Sequence, residues 1–249
     1  MLKTRIIPAL LLRDVSLVKT VKFRKPSYIG DPINTVRIFN ELEVDELIFL
    51  DIEATMKNRK PNLRILNEIA NECFMPLAYG GGISDFETAC DIFKIGFEKV
   101  VLNAAFHTHP KVIEQIARHF GNQAVVASVD VKKNFWGNYE VFTHSGSKNS
   151  KKNPVEWCKQ LEEMGAGEIL LTSIDKEGTW SGFDVELTRK VSEAVGIPLI
   201  AHGGAGSKDH ITQIVHEGKA SAVALGSIVV YQQKGMGVLV NFPCNNLLT

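Results

Sequence analysis

The chain repeats itself: Glu46 and Glu168, Pro76 and Pro198, Gly81 and Gly203, and Val101 and Val223 are each separated by 122 positions in a sequence of 249 residues. A constant offset near half the length is what a duplicated supersecondary block leaves behind. The block reads as alternating strand and helix. Eight short β-branched or aliphatic runs begin at Arg5, Glu46, Pro76, Lys99, Ala124, Glu168, Pro198 and Ser221, each followed by Gly, Asp or Asn and then by a segment of helical period. Near-continuous hydrophobicity within a run marks a strand buried on both faces, as in a parallel sheet. Four βα units leave an open edge and an unclosed core, whereas two copies close into an α/β (β/α)₈ TIM barrel. An open doubly wound sheet is the competitor, and the duplication favours the barrel. One domain is expected over 1–249, with half-barrels of about 1–122 and 123–249.

Lysine and arginine total 28 against 28 aspartate and glutamate. Without a basic excess the chain is not expected to bind nucleic acid or an anionic membrane through phosphate charge. No apolar run reaches the ~20 residues of a membrane span, and the start MLKTRIIPALLL has too short an apolar stretch for a signal peptide. Cys73, Cys90, Cys158 and Cys244 are too scattered to form a disulfide framework. A cytoplasmic protein with reduced thiols is expected, its partners small molecules or other proteins.

Three stretches break the βα rhythm. Residues 19–32 are long for a βα connection and rich in basic residues, Gly and Pro, so they read as a lid or as a solvated loop. The stretch after the fifth run, 132–154, reads as a small hairpin. The segment from Gln232 to the end has little helical character, so the eighth helix is expected to be short or replaced by a tail.

In a barrel of this kind the loops at the C-terminal strand ends build the site. Gly80-Gly81-Gly82 closes the third run, and its repeat partner Gly203-Gly204-Ala205-Gly206 closes the seventh. Glycines there make tight turns, and they also bare backbone N–H groups toward an anion. Their symmetrical placement implies an elongated ligand with an anion at each end. Asn103-Ala104 and Gly226-Ser227, at the ends of the fourth and eighth runs, complete the two cups.

Taken together, RIIPALLLRD, DELIFLDIEAT, YGGGISDFETA, KVVLNAAF, VVASVDVKK, AGEILLTSIDKEGT and AHGGAG resemble the cyclase (HisF-type) subunit of imidazole glycerol phosphate synthase over roughly residues 1–230. The resemblance implies a (β/α)₈ barrel that binds a ligand with two phosphates, and a glutaminase (HisH-like) subunit docked at the N-terminal face whose ammonia travels up the barrel axis. It places a first phosphate cup on Gly82, Asn103 and Ala104 and a second on Gly178, Gly203, Gly204, Gly226 and Ser227. Glu177 stands where the family usually has Asp. It also places an ammonia gate on Arg5, Glu46, Lys99 and Glu168, with Glu98 at the glutaminase interface, although charges at a barrel floor also serve stability. Lys19 matches a flexible-loop lysine that helps close the site, and Asp51 and Asp184 match polar rim positions, with helix capping as their plain reading.

One position departs from the pattern. The family's general acid/base pair resembles two aspartates at the ends of the first and fifth strands, here Leu11 and Asp130. Leucine transfers no proton, and losing one such group typically costs about 10²–10⁴-fold. Asp14, three residues on, starts from a different place. Leu11, the stretch KFRKPSYIGDPINTVRIFNELEVDELIFLDIEAT and the VLVNFP ending resemble a divergent branch that serves surface-polysaccharide (lipopolysaccharide) synthesis. That branch converts an acetamido sugar to an acetamidino sugar with glutamine-derived nitrogen, working with a glutaminase and a separate ATP-dependent amidotransferase. Its ligand is a phosphorylated or nucleotide-sugar small molecule. The histidine-pathway cyclase and a non-catalytic ammonia conduit are the alternatives.

Other candidates carry less. His107-Thr108-His109 lacks a third ligand nearby, so it reads as a solvated loop with no metal site. No cofactor is expected. His202 precedes the seventh-strand glycines and points into the barrel mouth or the core. Trp180 is placed to stack on a ligand ring, while Trp136 and Trp157 read as structural. No Cys/His glutaminase triad is recognisable, so another chain must process the nitrogen donor.

Overall fold

The computed structural model describes residues 4–243. Strand β1 (Arg5–Arg13) leads into an antiparallel hairpin of β2 (Ser16–Val21) and β3 (Arg24–Gly30), then α1 (Pro32–Glu41) and β4 (Leu47–Asp51). The first half continues through α2 (Leu63–Glu72), β5 (Leu77–Gly80), α3 (Phe86–Ile95), β6 (Lys99–Leu102), α4 (Ala105–Thr108) and α5 (Pro110–Phe120). The second half opens with β7 (Val125–Lys133), followed by the hairpin strands β8 (Tyr139–Thr143) and β9 (Lys148–Asn149) and by α6 (Pro154–Glu163). It ends with β10 (Glu168–Ser173), α7 (Val185–Ser192), β11 (Leu199–His202), α8 (Lys208–His216), β12 (Ala222–Leu225) and α9 (Ser227–Val230).

Eight of these strands pair in parallel in the order β1, β4, β5, β6, β7, β10, β11, β12, and β12 returns to β1. The sheet has closed on itself into the expected (β/α)₈ barrel. Several of its helices start where a side chain can accept an orphan backbone N–H: Asp31, Asp85, Asp184 and Ser207 cap α1, α3, α7 and α8. Their buried stripes, such as Ile65, Leu66 and Ile69 on α2, pack on the outward face of the strands as the main core. A second, smaller core fills the barrel interior with Ile7, Ala9, Ile48, Val101, Leu170 and Ile200 among others. Strand alternation separates the two, because successive side chains point to opposite faces.

Residues 19–32, expected as a loop, instead form most of the β2–β3 hairpin, with Asp31 reserved as a helix cap. Its turn is made by Lys22 and Phe23 at φ 53° and 60°, a conformation no glycine announces. The hairpin expected after the fifth strand is present as β8–β9. First and fifth strands are thus both long and both continue into antiparallel arms, so the repeat extends to the insertions. Helix α9 has four residues, and the described chain after it forms no helix. Cys244 and the last part of the tail lie outside the described residues. Trp157 is buried as expected, whereas Trp136 is 82% exposed beside Phe135 at the β7–β8 turn and is not a core residue.

Candidate functional site

A cavity of about 970 Å³ opens at the C-terminal ends of the barrel strands. Its wall is set by register. Leu11 lies in the inward row of β1, and Asp130 in that of β7 on the opposite side; both line the cavity. Asp130 is buried, and removal from water pushes its carboxyl up to about 7, a rise that the neighbouring Thr172 hydroxyl opposes. Asn103 Nδ2 donates to Asp130 Oδ2 at 3.1 Å and to the Ser128 carbonyl at 3.1 Å. Leu11 offers no such chemistry. At this level of the barrel an acid/base group poised near neutrality therefore faces a hydrocarbon wall.

Two arms roof the mouth. Phe23 of the first lies against Gly146 of the second, where an added Cβ would meet its ring at 3.0 Å. Ser145 Oγ of the second arm donates to the Ile52 carbonyl across the opening at 2.8 Å. Lys22, Arg24 and Lys132 line the mouth and take part in no ion pair among the described residues, so the opening favours an anion. Arg59 is committed, bridging Asp51 at 3.1 Å and Asp14 at 3.5 Å.

A second, narrower pocket holds about 10 Å³, room for roughly one water, between Lys19, Glu177, Gly178, Gly203, Gly204, Gly226 and Ser227. Glycine is required here for two different reasons. Gly204 sits at φ 110°, and a Cβ on it would lie 2.1 Å from the Gly182 carbonyl oxygen; Gly226 leaves space for the Lys19 side chain, whose Cε would be 2.9 Å from an added Cβ. The Lys19 ammonium is ion-paired with Glu177, which also accepts from Thr20 Oγ1 at 3.1 Å and from the Phe23 backbone N–H at 3.1 Å. The Lys22 N–H donates to the Glu177 carbonyl at 2.9 Å. Glu177 thus fastens the first arm across the mouth.

At the opposite end the barrel floor carries a closed ring of alternating charge. Glu46 accepts from Arg5 Nη1 at 2.6 Å and from Lys99 Nζ at 3.0 Å, Lys99 also reaches Glu168 at 2.9 Å, and Arg5 pairs with Glu168. Burial works against the Arg5 charge, but Glu168 and Glu46 outweigh it and hold the guanidinium above its ordinary value. Above the ring the interior is aliphatic. Glu98 is exposed on the rim beside it.

The profile of the family described as "Histidine biosynthesis protein" matches residues 5–235. The chain belongs to this family. Among its HisF-type relatives is a protein of Pseudomonas aeruginosa provisionally named imidazole glycerol phosphate synthase subunit hisF2, 49% identical over 248 residues, covering 100% of this chain and 99% of the relative. A Leptospira borgpetersenii protein provisionally named as the HisF subunit is 46% identical over 244 residues, 98% and 96% of the two chains. The imidazole glycerol phosphate synthase subunit HisF of Prosthecochloris aestuarii is 44% identical over 233 residues, 94% and 92% of the two.

In this HisF-type barrel the residues expected at the site gather as three groups: Gly82, Asn103, Ala104, Leu11 and Asp130 around the large cavity, Lys19 with the second-cup glycines and Ser227 in the small pocket, and the four charges at the floor. Several details differ from expectation. Lys19 lies on a strand, buried in an ion pair, and not on a flexible loop. Asn103 aims its amide at Asp130, not at the first cup, and its Oδ1 is a buried acceptor without a partner. The Gly82 N–H is already taken by Thr55 Oγ1 at 3.2 Å. In keeping with the capping reading, Asp51 caps its own loop, accepting from Glu53 and Ala54, and Asp184 caps α7. Asp14 points its exposed carboxyl toward Arg59. His107 is no solvated loop residue, for it stacks on Trp157 with ring centroids 4.3 Å apart. Trp180 lines neither pocket. Thr172 escaped the sequence reading, although its alternation with Glu168 and Leu170 places it on the inward face of β10.

Proposed function

We propose that the chain is the ammonia-receiving barrel subunit of a glutamine amidotransferase system, acting in acetamidino-sugar formation for surface polysaccharide. The observation that carries this reading is the lone Asp130 facing Leu11: a cyclase that moves protons on two faces of its substrate wants a second such group, and a leucine wall provides none. Asp130, with its proton held to about pH 7, is suited to give or take a proton once. The cationic mouth supports a phosphorylated or nucleotide-sugar ligand. Ammonia would enter from a glutaminase docked on the floor near Glu98, pass the Arg5–Glu46–Lys99–Glu168 ring when it opens, and cross the aliphatic interior, which costs neutral NH₃ far less than ammonium. Gly82, Ala104 and the Gly178, Gly203, Gly204, Gly226 and Ser227 set would bind the anionic ends, the latter only after Lys19 and Glu177 part. A separate ATP-dependent amidotransferase would complete the system, in the cytoplasm.

The histidine-pathway cyclase is the second reading, favoured by the names of the relatives. A conduit without chemistry of its own is the third, favoured by Leu11 alone. Purified protein supplied with ammonium salt and the two-phosphate cyclase substrate decides among them: we expect no cyclised product, and robust turnover would overturn the first and third readings. If nitrogen transfer in the reconstituted complex survives Asp130→Asn, the conduit replaces the first.

A further inference from the structure

The tip of the second arm holds two aromatic rings in water. Phe135 and Trp136, at the β7–β8 turn, are 94% and 82% exposed, and their rings meet edge to face with centroids 5.6 Å apart. The turn beneath them is tightly built. Asn134 Oδ1 accepts from the Trp136 N–H at 2.9 Å and from the Asn138 N–H at 3.0 Å, while its Nδ2 donates to Glu140 Oε1 at 2.8 Å. Backbone bonds from the Asn134 N–H to the Asn138 carbonyl and from the Gly137 N–H to the Asn134 carbonyl close it. One asparagine thus fixes the backbone on which both rings stand. Such rings bury roughly 150–250 Å² each when covered, and an anchor ordered in advance loses little freedom on binding. The charge around them is one-sided. Residues 16–30 of the first arm contain four basic residues and no acid, and residues 131–152 of the second contain five lysines and one acid, Glu140, in a chain whose charges cancel overall. Lys19 apart, none of these nine forms an ion pair among the described residues. The first arm also exposes Val21 and Tyr28. Lys22, Arg24 and Lys132 line the mouth, and the aromatic turn begins two residues past Lys132.

We propose that the two arms are the docking surface for a partner enzyme seated over the mouth, which offers an apolar slot to Phe135 and Trp136 and an acidic rim to the arm cations. The choice of occupant rests on the function proposed above, whose ATP-dependent amidotransferase is the protein meant. Charge complementarity and position both favour it. The unpaired cations ask for a surface of opposite sign, which steers encounter and fixes orientation. Ammonia that leaves an open mouth takes a proton from water and loses the lone pair with which it attacks, so its use in a second enzyme requires a cover that keeps bulk water out. The floor with its ring of charge is at the other end of the barrel, so a glutaminase there and a partner on the arms do not compete.

The test is titration of the full chain, labelled with 5-fluorotryptophan, with the purified amidotransferase. The Trp136 fluorine signal, identified by its loss in Trp136→Phe, should shift on mixing while that of buried Trp157 stays. Phe135→Ala combined with Trp136→Ala should weaken the complex roughly 30-fold or more, and Lys25→Glu should slow association. Both rings lie in water, so their truncation leaves the core intact. No complex with the wild type, or one as tight with the double variant, overturns the proposal. So does a Trp136 signal that moves instead with the chain's own concentration, which makes a second copy the occupant, or on adding phosphatidylglycerol vesicles, which makes it a membrane. A complex that needs the rings but yields no acetamidino product keeps the docking surface and removes the function proposed above. Product formed from glutamine by the double variant at the wild-type rate keeps that function and removes the docking surface.

Discussion

Replacing Asp130 with Asn should make the protein more stable, and more so at high pH. Asp130 is buried with its carboxyl pushed up to about 7, against about 3.9 in an open chain. Between these values the native state holds a proton that the unfolded state has lost, so stability falls as pH rises through the window and levels off above the native value. A difference of about three pH units at 1.36 kcal/mol each amounts to a penalty of about 4 kcal/mol at pH 8. Asparagine escapes it, because its carboxamide carries no charge to desolvate and its oxygen can still accept from Asn103 Nδ2. Urea unfolding of both proteins at pH 4.5 and pH 8 is the assay. The variant should gain little at the lower pH and up to about 4 kcal/mol at the higher, or very roughly 10 °C in Tm by the scaling for a domain of this size. A gain that is the same at both pH values, or no gain at pH 8, would refute the argument that the carboxyl is held against its preference for water.

Lys99→Met should cost about 1.5–3 kcal/mol in urea unfolding, since it removes charge-assisted bonds to Glu46 and Glu168 while Arg5 still holds both; in a reconstituted complex it should also let glutamine hydrolysis run without product, and tight coupling would count against the gate. Glu177→Gln leaves Lys19 buried beside a neutral amide, so limited proteolysis should cut the β2–β3 turn near Lys22 to Lys25 faster, and an unchanged cutting rate would show that something else fastens the arm. Gly204→Ala must strain a backbone at φ 110° and push aside the Gly182 carbonyl, costing at least about 1–3 kcal/mol; a Tm equal to wild type would contradict that packing.

Runs that are apolar from end to end, such as LIFLD and EILLTS, announce buried strands, and the fixed offset between halves announces closure, so the barrel was legible in the residues. So were the floor charges, because each begins or immediately precedes a strand. The first arm was not. Its turn is built from Lys22 and Phe23 in left-handed conformations, and the β3 side chains from Arg24 to Tyr28 are all exposed, which erases the alternation that marks a half-buried strand. Asn103 misled for another reason: its strand gives the direction of the side chain, but the acceptor it finds, Asp130, comes from the neighbouring strand 27 positions later. Glu177 showed only as a departure from the family pattern. Its grip on Lys19, Thr20 and Phe23 depends on how a distant arm folds back, which no local spacing encodes.

Because Lys19 and Glu177 already neutralise each other inside the small pocket, an incoming anion there takes part in an exchange of counter-ions and not in the filling of a bare positive hole. Such a ligand would have to match what the carboxylate gives before it added anything. The carboxylate it would evict is the same group that ties down the arm, so admission of a ligand there and slackening of the roof would be one event.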